Sequence, residues 1–376
     1  MKRLLCAFAC CVNFTGILSA AQVEHLTPPR LAEKFVKEKV TCIRPGREGF
    51  FHIAVEKKRT QLIIHDYGHG GSGWTLVFGS VNRAIRLFEA ALRQYTEFHG
   101  KPIRVLGAGA HGQLAAILLQ KKGYKVRLTA SSFADLTSHK GAGIFAPGPV
   151  ELSAEERKVF EEVLVESYEV WKTVVAGTHS FLRKGGAAMP LYLGEGTDSG
   201  LQSLVLRGLI PAPEQVQVSF GNGKRHPFTK IHSIFMDTRM IMEQMEQTCH
   251  ALGIPREEKQ IQHFSDFSEF IVFDCAGVGG GALNQDSKVV PVQGHLLTLQ
   301  DQPVEQLRYM VYAKIHTNKP VVDDFGHPVE DYVYFTPKGG GTVGGSYIKG
   351  EGRLTTNQAQ FQRILERSQA FFGRAD

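Results

Sequence analysis

The pattern of hydrophobic and polar positions predicts alternating strands and helices along the chain. Short apolar runs at residues 103–106, 125–129 and 271–273 are typical of buried strands. Apolar residues three and four positions apart predict a helix with one buried face over residues 80–98, and a last helix from about 357–372. Strands that alternate with helices indicate an α/β fold containing parallel strands.

Less regular stretches lie between these elements. Residues 31–40 predict a short charged helix, and the proline and glycines of residues 44–49 predict a turn. Residues 50–55 and 61–65 predict a hairpin, and residues 332–336 predict a strand before a glycine-rich turn. Such turns of small residues are usually hairpins, although together they can surround an extended ligand that approaches the backbone closely.

The strongest motif follows the strand at residues 103–106. The sequence GAGAHG fits a G-x-G-x-x-G pattern, and a helix is predicted directly behind it at residues 113–122. Gly107 permits the tight turn, Gly109 lets a pyrophosphate approach the backbone, and Gly112 lets helix and strand pack closely. The motif therefore predicts a nucleotide-binding unit, and a tight turn without a ligand is the alternative.

One part of a dinucleotide site is missing from the sequence. An acidic residue usually follows about 20 positions later and binds the ribose hydroxyls. Here the second strand ends in Thr129, Ala130, Ser131 and Ser132. A serine hydroxyl accepts such a bond less strongly than a carboxylate does. This departure argues most against NAD, because that cofactor depends on the same contact.

Composition and charge narrow the class of protein. The chain has 376 residues, of which 43% are hydrophobic and 10% aromatic, so it can bury a large core in about two domains. Charged residues make up 21% and give a formal net charge of +6, but both signs are scattered without a basic stripe. Nucleic acid is therefore not expected as a partner. No later apolar run approaches the ~20 residues of a membrane span.

The first residues have the pattern of a secretory signal peptide. Lys2 and Arg3 precede an apolar stretch at residues 4–18, and small residues follow up to Ala21. We expect cleavage near Ala21 and an exported protein, either periplasmic or secreted. A buried first element is the alternative.

The cysteines beyond this segment are few and far apart. They are Cys42, Cys249 and Cys275, and no two have the spacing of a metal-binding pair. We therefore predict no metal site and no disulfide framework, and leave a single bridge open.

Residues 63–79 carry a resemblance to a known family. Their sequence, IIHDYGHGGSGWTLVFG, resembles the flavin-binding pattern of the D-amino-acid oxidase family, and RPGR at residues 44–47 resembles that family's Arg-Pro-x-Arg turn. The G-x-G-x-x-G unit and shorter stretches at residues 133–138, 274–277 and 334–337 also have family counterparts. The resemblance covers most of the chain beyond the signal segment and implies FAD as cofactor.

The order of the motifs departs from the family. There the G-x-G-x-x-G unit opens the chain and the flavin loop closes it, whereas here the closing motifs come first. The natural interpretation is a circular permutation, which folded proteins tolerate when the old termini lie close together. A mis-assembled gene is the alternative.

The resemblance implies a two-domain fold. A Rossmann-type FAD-binding domain is expected from residues 42–146 and 236–283. A mixed-sheet α+β substrate domain is expected from residues 147–235 and 284–348. Residues 349–376 with residues 30–41 would form a helical closing segment.

The resemblance also implies a set of cofactor contacts, spread over four loops. They are Gly107, Ala108, Gly109, His111 and Gly112 at the pyrophosphate, Thr137 and Ser138 near the phosphate and ribitol, Ala276 and Gly277 in a later turn, and Gly70, Gly71, Ser72, Gly73, Trp74 and Thr75 along the flavin.

Three further positions match the family's substrate contacts. Arg44 would bind the substrate α-carboxylate, Tyr334 would donate to the same group, and the Gly71 carbonyl would hold the amine. The reaction implied is hydride transfer from the α-carbon of an amino acid to the flavin, which gives an imino acid and then a keto acid. A small D-amino acid is the expected substrate and oxygen the expected electron acceptor.

Two other functions remain open. One is an NAD(P)-dependent dehydrogenase, and the other is a nucleotide-binding or surface protein that keeps the fold without turnover. The second is supported by departures from the family pattern at Asp66, Ala146 and Glu330.

Overall fold

The computed structural model describes residues 23–148, 151–314 and 321–373, and these form two β-sheets with helices packed against them. The predicted signal peptide at residues 1–21 lies outside the described residues. The strands are β1 (Val23–His25), β2 (Val36–Arg47), β3 (His52–Lys58), β4 (Gln61–Tyr67), β5 (Ile103–Leu106), β6 (Val126–Ala130), β7 (Gly186–Leu193), β8 (Glu214–Ser219), β9 (His226–Met236), β10 (Arg256–Glu258), β11 (Ile271–Asp274), β12 (Val289–Leu299), β13 (Met310–Lys314), β14 (Val329–Thr336) and β15 (Thr342–Lys349). The helices are α1 (Gly73–Gln94), α2 (Ala110–Lys121), α3 (Thr137–Lys140), α4 (Ala154–Val175), α5 (Gln202–Leu206), α6 (Thr238–Ala251), α7 (Val278–Asn284) and α8 (Ala359–Phe372).

The smaller sheet has six strands in the order β10-β6-β5-β11-β4-β3. All neighbours are parallel except the β3–β4 hairpin, which is antiparallel. Every residue of β5 and β11 is buried, as expected for parallel strands covered on both faces. The unit β5–α2–β6 is the predicted strand, helix and strand, with bounds within a few residues of those expected.

The larger sheet has nine strands in the order β1-β8-β9-β7-β13-β14-β15-β12-β2. It is mixed, because β1–β8 and β13–β7 are parallel and the other pairs are antiparallel. Helix α8 contacts β12, β14 and β15. The predicted fold class, a Rossmann-type α/β unit combined with a mixed-sheet unit, is therefore confirmed. The circularly permuted order stays a prediction.

The prediction for residues 31–49 is wrong. Instead of a helix and a turn, a short 3-10 helix at Glu33–Phe35 leads into β2, which is paired with β12 along its length. Backbone bonds to β12 outweigh the local helix propensity of the charged residues, which supplies a few tenths of a kcal/mol per residue. Pro45 is accommodated because β2 is an edge strand, where a missing N–H breaks no ladder bond. The expected closing segment is thus helical at α8 but not at residues 30–41.

Local signals account for two helix starts. Ser153 and Glu156 form a reciprocal capping box at the start of α4. The Asp237 side chain accepts from the Met240 backbone N–H at 3.1 Å and begins α6. None of the helices that the structure describes is long and apolar enough to cross a bilayer. Cys42, Cys249 and Cys275 are buried and unpaired, so the bridge left open by the sequence does not form.

Candidate functional site

A cavity of about 1120 Å³ is lined by residues of both sheets. The smaller sheet contributes the loops after β4, β5, β6 and β11, which are the carboxyl ends of its parallel strands. In open α/β sheets this edge is where ligands bind. The larger sheet contributes side chains of β2, β13, β14 and β15. One cavity therefore brings together the predicted cofactor loops and the predicted substrate residues.

The G-x-G-x-x-G loop lies between β5 and α2. Gly107 adopts a φ of +96°, which L side chains rarely adopt, and a Cβ there would overlap the Cys275 carbonyl. Gly109 precedes α2, which begins without a side-chain cap. The Ala110 N–H donates to Ser138 Oγ at 3.0 Å. The first turn of α2 therefore points backbone N–H groups at the cavity edge, an arrangement suited to an anion.

Two of the predicted cofactor residues lie behind the cavity wall. A Cβ at Gly112 would overlap the Gly107 carbonyl, so this glycine lets α2 pack against the loop and does not line the cavity. Thr75 is 1% exposed, and its hydroxyl faces the Ile144 carbonyl at 3.4 Å. The expected direct contacts of Gly112 and Thr75 with a cofactor are corrected to supporting roles. The other predicted cofactor residues all line the cavity.

The edge beyond β6 contains a carboxylate that the sequence pattern missed. Glu257 on β10 lies beside Thr129 in the parallel register of the two strands. Arg104 forms ion pairs with Glu257 and with Glu269, the latter at 2.6 Å, and also donates to Thr129 Oγ1 at 2.7 Å. Since Arg104 pairs with both carboxylates, this edge does not reproduce the free acidic residue of an NAD site. Strand β10 has three residues and pairs with β6, more than 100 positions earlier, so the neighbouring sequence gives no pattern that predicts it.

The loop predicted to bind flavin forms a 3-10 turn at Gly70–Ser72 and runs directly into α1. Gly70 has a φ of +56°, and a Cβ there would meet Gly46 of β2 at 3.7 Å. A Cβ at Gly71 would meet nothing within 4 Å, so this residue borders open space. Helix α1 also begins without a side-chain cap. Its first residues, Gly73 and Trp74, line the cavity, so the helix dipole favours negative charge there.

The loop around α3 is tied to both glycine loops. Trp74 Nε1 donates to the Ser138 carbonyl at 3.0 Å, and Ser72 Oγ donates to the Pro147 carbonyl at 2.8 Å. Thr137 Oγ1 donates to the Ile43 carbonyl of β2 at 3.0 Å. The predicted residues Thr137 and Ser138 thus hold the walls of the cavity in place as well as lining it.

The turn after β11 closes another part of the wall. Gly277 has a φ of +59°, and a Cβ there would lie 3.4 Å from the Pro45 ring. Ala276 and Gly277 both line the cavity, and the residues behind them form the short helix α7 where a longer turn was expected.

Arg44 lines the cavity from β2. Its Nη1 donates to the Ser346 carbonyl at 3.3 Å, and the guanidinium occupies space that a Cβ at Gly294 would fill. Burial works against its charge, but the nearby Cys42, Tyr334 and Tyr312 side chains raise the pKa of Arg44 above its ordinary value. Within the described residues Arg44 forms no ion pair. The cavity wall therefore contains a cation with donors available for an anionic ligand.

Tyr334 lies on β14, opposite Gly344 of β15 and Tyr312 of β13. A Cβ at Gly344 or Gly345 would overlap its ring, so these glycines make the space that the phenol occupies. Burial raises the pKa of Tyr334, and Arg44 opposes that shift. The phenol therefore keeps its proton at neutral pH and can donate it. Arg44, Tyr334 and Gly71, the three predicted substrate contacts, all line the same cavity.

A polar group on β13 and β14 was only partly foreseen. Lys314 pairs with Glu330 at 2.9 Å, and the Tyr332 hydroxyl donates to the same carboxylate at 2.6 Å. The rings of Tyr312 and Tyr332 stack with their centroids 5.1 Å apart. Only Glu330 was identified from the sequence. The side chains of Lys314, Tyr332 and Tyr312 come close to it through the pairing of β13 with β14.

Two groups of side chains bring potential metal ligands within 4.8 Å of one another. One contains Asp66, His69 and His111 beside the glycine loops, and the other contains Asp323, His327 and Glu351. In the second group Arg353 pairs with Glu351, and Asn357 Nδ2 donates to Asp323 at 3.1 Å. Both carboxylates are thus satisfied by protein donors.

Lys338 fastens the α3 loop to the larger sheet. It is 8% exposed, and its ammonium donates to the carbonyls of His139 and Gly141 at 2.5 and 2.8 Å and to Thr238 Oγ1 at 2.7 Å. Burial lowers the pKa of Lys338 to about 8. The Thr238 hydroxyl also lies 3.2 and 3.1 Å from the carbonyls of His139 and Gly141, but it has one proton for the two, so Lys338 is needed to satisfy both.

Lys338→Met is expected to lower the free energy of unfolding by about 1–3 kcal/mol, since buried acceptors lose their donor. In the parent protein, the unfolded chain binds more protons than the folded one between about pH 8 and the ordinary lysine value of 10.5. Its stability should therefore rise with pH across that window, and the variant should lack this rise. Urea unfolding at pH 8 and pH 10 measures both effects. Lys349→Met, at an exposed ion pair with Glu48, is the control; equal pH slopes in parent and Lys338→Met would contradict the assignment.

Comparison with known proteins gives no match to a family model. A stretch of 75 residues is 36% identical to D-aspartate oxidase 2 of Caenorhabditis elegans, and covers 18% of this chain and 21% of that protein. The match thus spans about a fifth of the curated relative's length.

Solved structures of similar architecture include glycine oxidase from Geobacillus kaustophilus, with a TM-score of 0.48 and 14% identity over 72% of this chain and 77% of that chain. Another is the glycerol-3-phosphate dehydrogenase from Bacillus halodurans complexed with FAD, with a TM-score of 0.42 and 14% identity over 75% of this chain and 55% of that chain.

Proposed function

We propose that this chain is an FAD-dependent oxidoreductase that oxidises an amino acid or a related amine carrying a carboxylate. The proposal is supported by the residues that line one cavity. Two glycine loops lead there into uncapped helix N-termini, and Arg44 lies in the wall outside any ion pair of the described residues. The first feature fits a dinucleotide and the second fits an anionic substrate.

The residues present fit FAD. Gly107 and Gly109 line the cavity in the first loop, where a pyrophosphate would bind, and Ser138 adds a hydroxyl beside them. The first turn of α1, behind Gly70 and Gly71, offers N–H groups to a flavin ring. A volume of about 1120 Å³ lies slightly above the roughly 300–1,000 Å³ of ordinary ligand sites, as an extended cofactor together with a substrate requires.

In the proposed reaction this chain's residues bind and orient the substrate. Arg44 pairs with the α-carboxylate, the Tyr334 hydroxyl donates to the same group, and the Gly71 carbonyl accepts from the amine. Three fixed points define the direction of the α-carbon hydrogen, and such positioning supplies much of the rate. When bound, the flavin accepts the hydride. No side-chain base is needed for that step.

The finer parts of the proposal concern substrate and location. A small neutral D-amino acid is proposed as substrate and oxygen as electron acceptor, with export directed by the first 21 residues. A cavity wall of Tyr312, Tyr332 and the paired Lys314 and Glu330 supports a substrate without net side-chain charge, because the nearest charges already neutralise each other.

We also propose that the order of the motifs is a circular permutation. Gln369 Nε2 of α8 donates to the Leu31 carbonyl at 2.7 Å, and Phe372 lies in one buried cluster with Leu31. Helix α8 and the segment around Leu31, which the resemblance groups into one closing segment, thus lie side by side. A circular permutation requires that the old chain termini lie close enough to be joined by a short connection.

The test of the function is whether purified protein carries flavin. We expect a yellow protein that releases FAD on denaturation and produces peroxide or reduces a dye with members of a panel of D-amino acids, L-amino acids and secondary amines. A colourless protein that FAD cannot reconstitute would rule the proposal out. Reduction of NAD or NADP with the same panel would favour the dehydrogenase, and a yellow protein without turnover would favour a binding role.

A further inference from the structure

Two neighbouring strands of the larger sheet hold an ion pair in the wall of the cavity. Lys314 Nζ lies 2.9 Å from Glu330 Oε2, and the Tyr332 hydroxyl donates to the same oxygen at 2.6 Å. Besides Arg44, Lys314 and Glu330 are the charged side chains that the described strands of the larger sheet contribute to the cavity wall. Their charges cancel only as long as both side chains are present.

The register of β13 and β14 places this pair beside the proposed substrate contacts. Tyr312 of β13 lies opposite Tyr334 of β14. Lys314 lies two positions further along β13, opposite Tyr332, and Glu330 lies two positions from Tyr332 on β14. Side chains two residues apart on a strand share one face and lie about 7 Å apart. The ion pair is therefore the next group along the cavity face after Tyr312.

Tyr312 lies between Arg44 and the ion pair. Burial is the largest cause of the raised pKa of Tyr312, and Arg44 and Glu330 also act on this phenol, with opposite signs. The rings of Tyr312 and Tyr332 stack with their planes inclined by 17°. An aromatic wall thus runs from Arg44 to the ion pair. A substrate whose α-carboxylate binds Arg44 can lay its side chain along this wall, and the end of that side chain would then meet Lys314 and Glu330.

Glu330 keeps its charge in this setting. Burial works against that charge, but the hydrogen bonds from Tyr332 and Lys314 lower the pKa of Glu330 below its ordinary value. Because the side chains of Lys314 and Glu330 are 38% and 44% exposed, the bond between them adds little to folding stability. Substitution of either partner should therefore leave the protein folded, and its effect on a ligand can be measured.

We propose that Glu330 determines the charge class of the substrate: paired with Lys314, it keeps the far end of the cavity neutral, and without it the free ammonium would bind an amino acid with a second carboxylate. By the same argument, loss of Lys314 would leave a carboxylate that binds an amino acid with a cationic side chain. The inference rests on the proposed function. Neither residue contacts the reacting atoms in the proposed reaction, so both are specificity-determining residues.

Rejection of charged side chains by the parent protein follows from the same pair. An acidic side chain would lie beside the Glu330 carboxylate, which repels it, and the ammonium of Lys314 already has its partner. A basic side chain meets the converse arrangement. Like charges and unpaired charges that arise only with the wrong ligand are a common source of specificity. A neutral side chain causes neither.

The experiment measures the binding of valerate, glutarate and δ-aminovalerate to the full chain, with FAD added, by titration calorimetry. All three acids have the same number of carbons and carry a carboxylate for Arg44, and their far ends are neutral, anionic and cationic. They have no α-amino group, so binding is measured without turnover. The parent protein should bind valerate most tightly.

Three variants separate the effect of charge from that of shape. Glu330→Gln keeps the size of the side chain and an acceptor for Tyr332 but loses the charge. It should raise the affinity for glutarate relative to valerate by on the order of tenfold, as a gained hydrogen bond to a charged group does. Lys314→Met should raise the relative affinity for δ-aminovalerate in the same way. The double variant has no charge at either position and should again prefer valerate, which a merely structural role of the pair would not produce.

Glu89→Gln is the matched control. Glu89 forms a partly exposed pair with Lys122 at 2.7 Å and does not line the cavity, so this variant should follow the parent with all three acids. An unchanged ratio of glutarate to valerate affinity in Glu330→Gln would overturn the proposal. Failure of every protein to bind any of the three acids would also overturn it.

Oxidation of alanine, glutamate and lysine, each in both configurations, separates this inference from the proposed function. A kcat/KM that shifts from alanine towards glutamate in Glu330→Gln supports both. No oxidation by any protein, together with the expected order of acid binding, would contradict the proposed function and still support the role of the ion pair. Oxidation with the same preference in the parent and in Glu330→Gln would contradict the inference alone.

Discussion

Arg44→Ala is expected to raise KM for the amino-acid substrate by on the order of 100-fold or more while FAD stays bound. Removing one partner of a desolvated, hydrogen-bonded charge pair costs about 2–5 kcal/mol. Here Arg44 has Ser346 O as a protein acceptor and forms no ion pair within the described residues, so its remaining donors are available to the carboxylate. Steady-state kinetics together with the absorbance of bound flavin measure the two effects separately.

Two further proteins make this test specific. Arg44→Lys keeps the charge but loses the two-pronged geometry, so an intermediate KM is expected. Arg93→Ala removes an exposed arginine of α1 and should leave both KM and colour unchanged. An Arg44→Ala protein with the parent KM would show that the substrate carboxylate binds elsewhere.

Gly112→Ala is expected to yield a protein that does not retain FAD. A Cβ at this position would overlap the Gly107 carbonyl, so α2 must move away from the loop that it supports. Overpacking of this kind costs typically about 1–3 kcal/mol of folding free energy, and the displaced helix N-terminus no longer meets a pyrophosphate. Flavin content after purification and urea unfolding measure the two consequences.

Gly279→Ala is the matched control for this substitution. It has the same change in size, but its Cβ would meet only the Ala276 methyl at 3.6 Å, an ordinary contact. The control should keep its flavin and its stability. If Gly112→Ala also kept both, the close approach between α2 and the loop would not be needed for cofactor binding.

The sequence predicted best where structure depends on neighbouring residues. The strand at residues 103–106 was predicted with its observed bounds, and the helix behind it within a few residues. Glycines, apolar period and turn all lie within about 25 positions there, so each local preference agrees with the final fold. The hairpin β3–β4 and the helix α8 were predicted for the same reason.

Long-range pairing explains the errors and the omissions. Residues 31–40 were predicted as a charged helix and residues 44–49 as a turn, yet residues 36–47 form backbone bonds to β12, about 250 positions later. Glu257 reaches Thr129 only because β10 adds to the edge of the smaller sheet. Asp66 and His111 were each noted in the sequence, but their 3.0 Å hydrogen bond exists only once β4 and α2 lie side by side.

Strand β2 connects the two halves of the site at one edge of the larger sheet. It is an edge strand, it carries Arg44, and its Gly46 lies against Gly70 of the flavin-type loop. Edge elements open locally at lower free energy than the centre of a sheet. Local opening of β2 would therefore move Arg44 out of the cavity and, at the same time, expose the loop at Gly70. Amide hydrogens of β2 should exchange with solvent as one cooperative unit, and a bound carboxylate should slow their exchange even at positions that it does not touch.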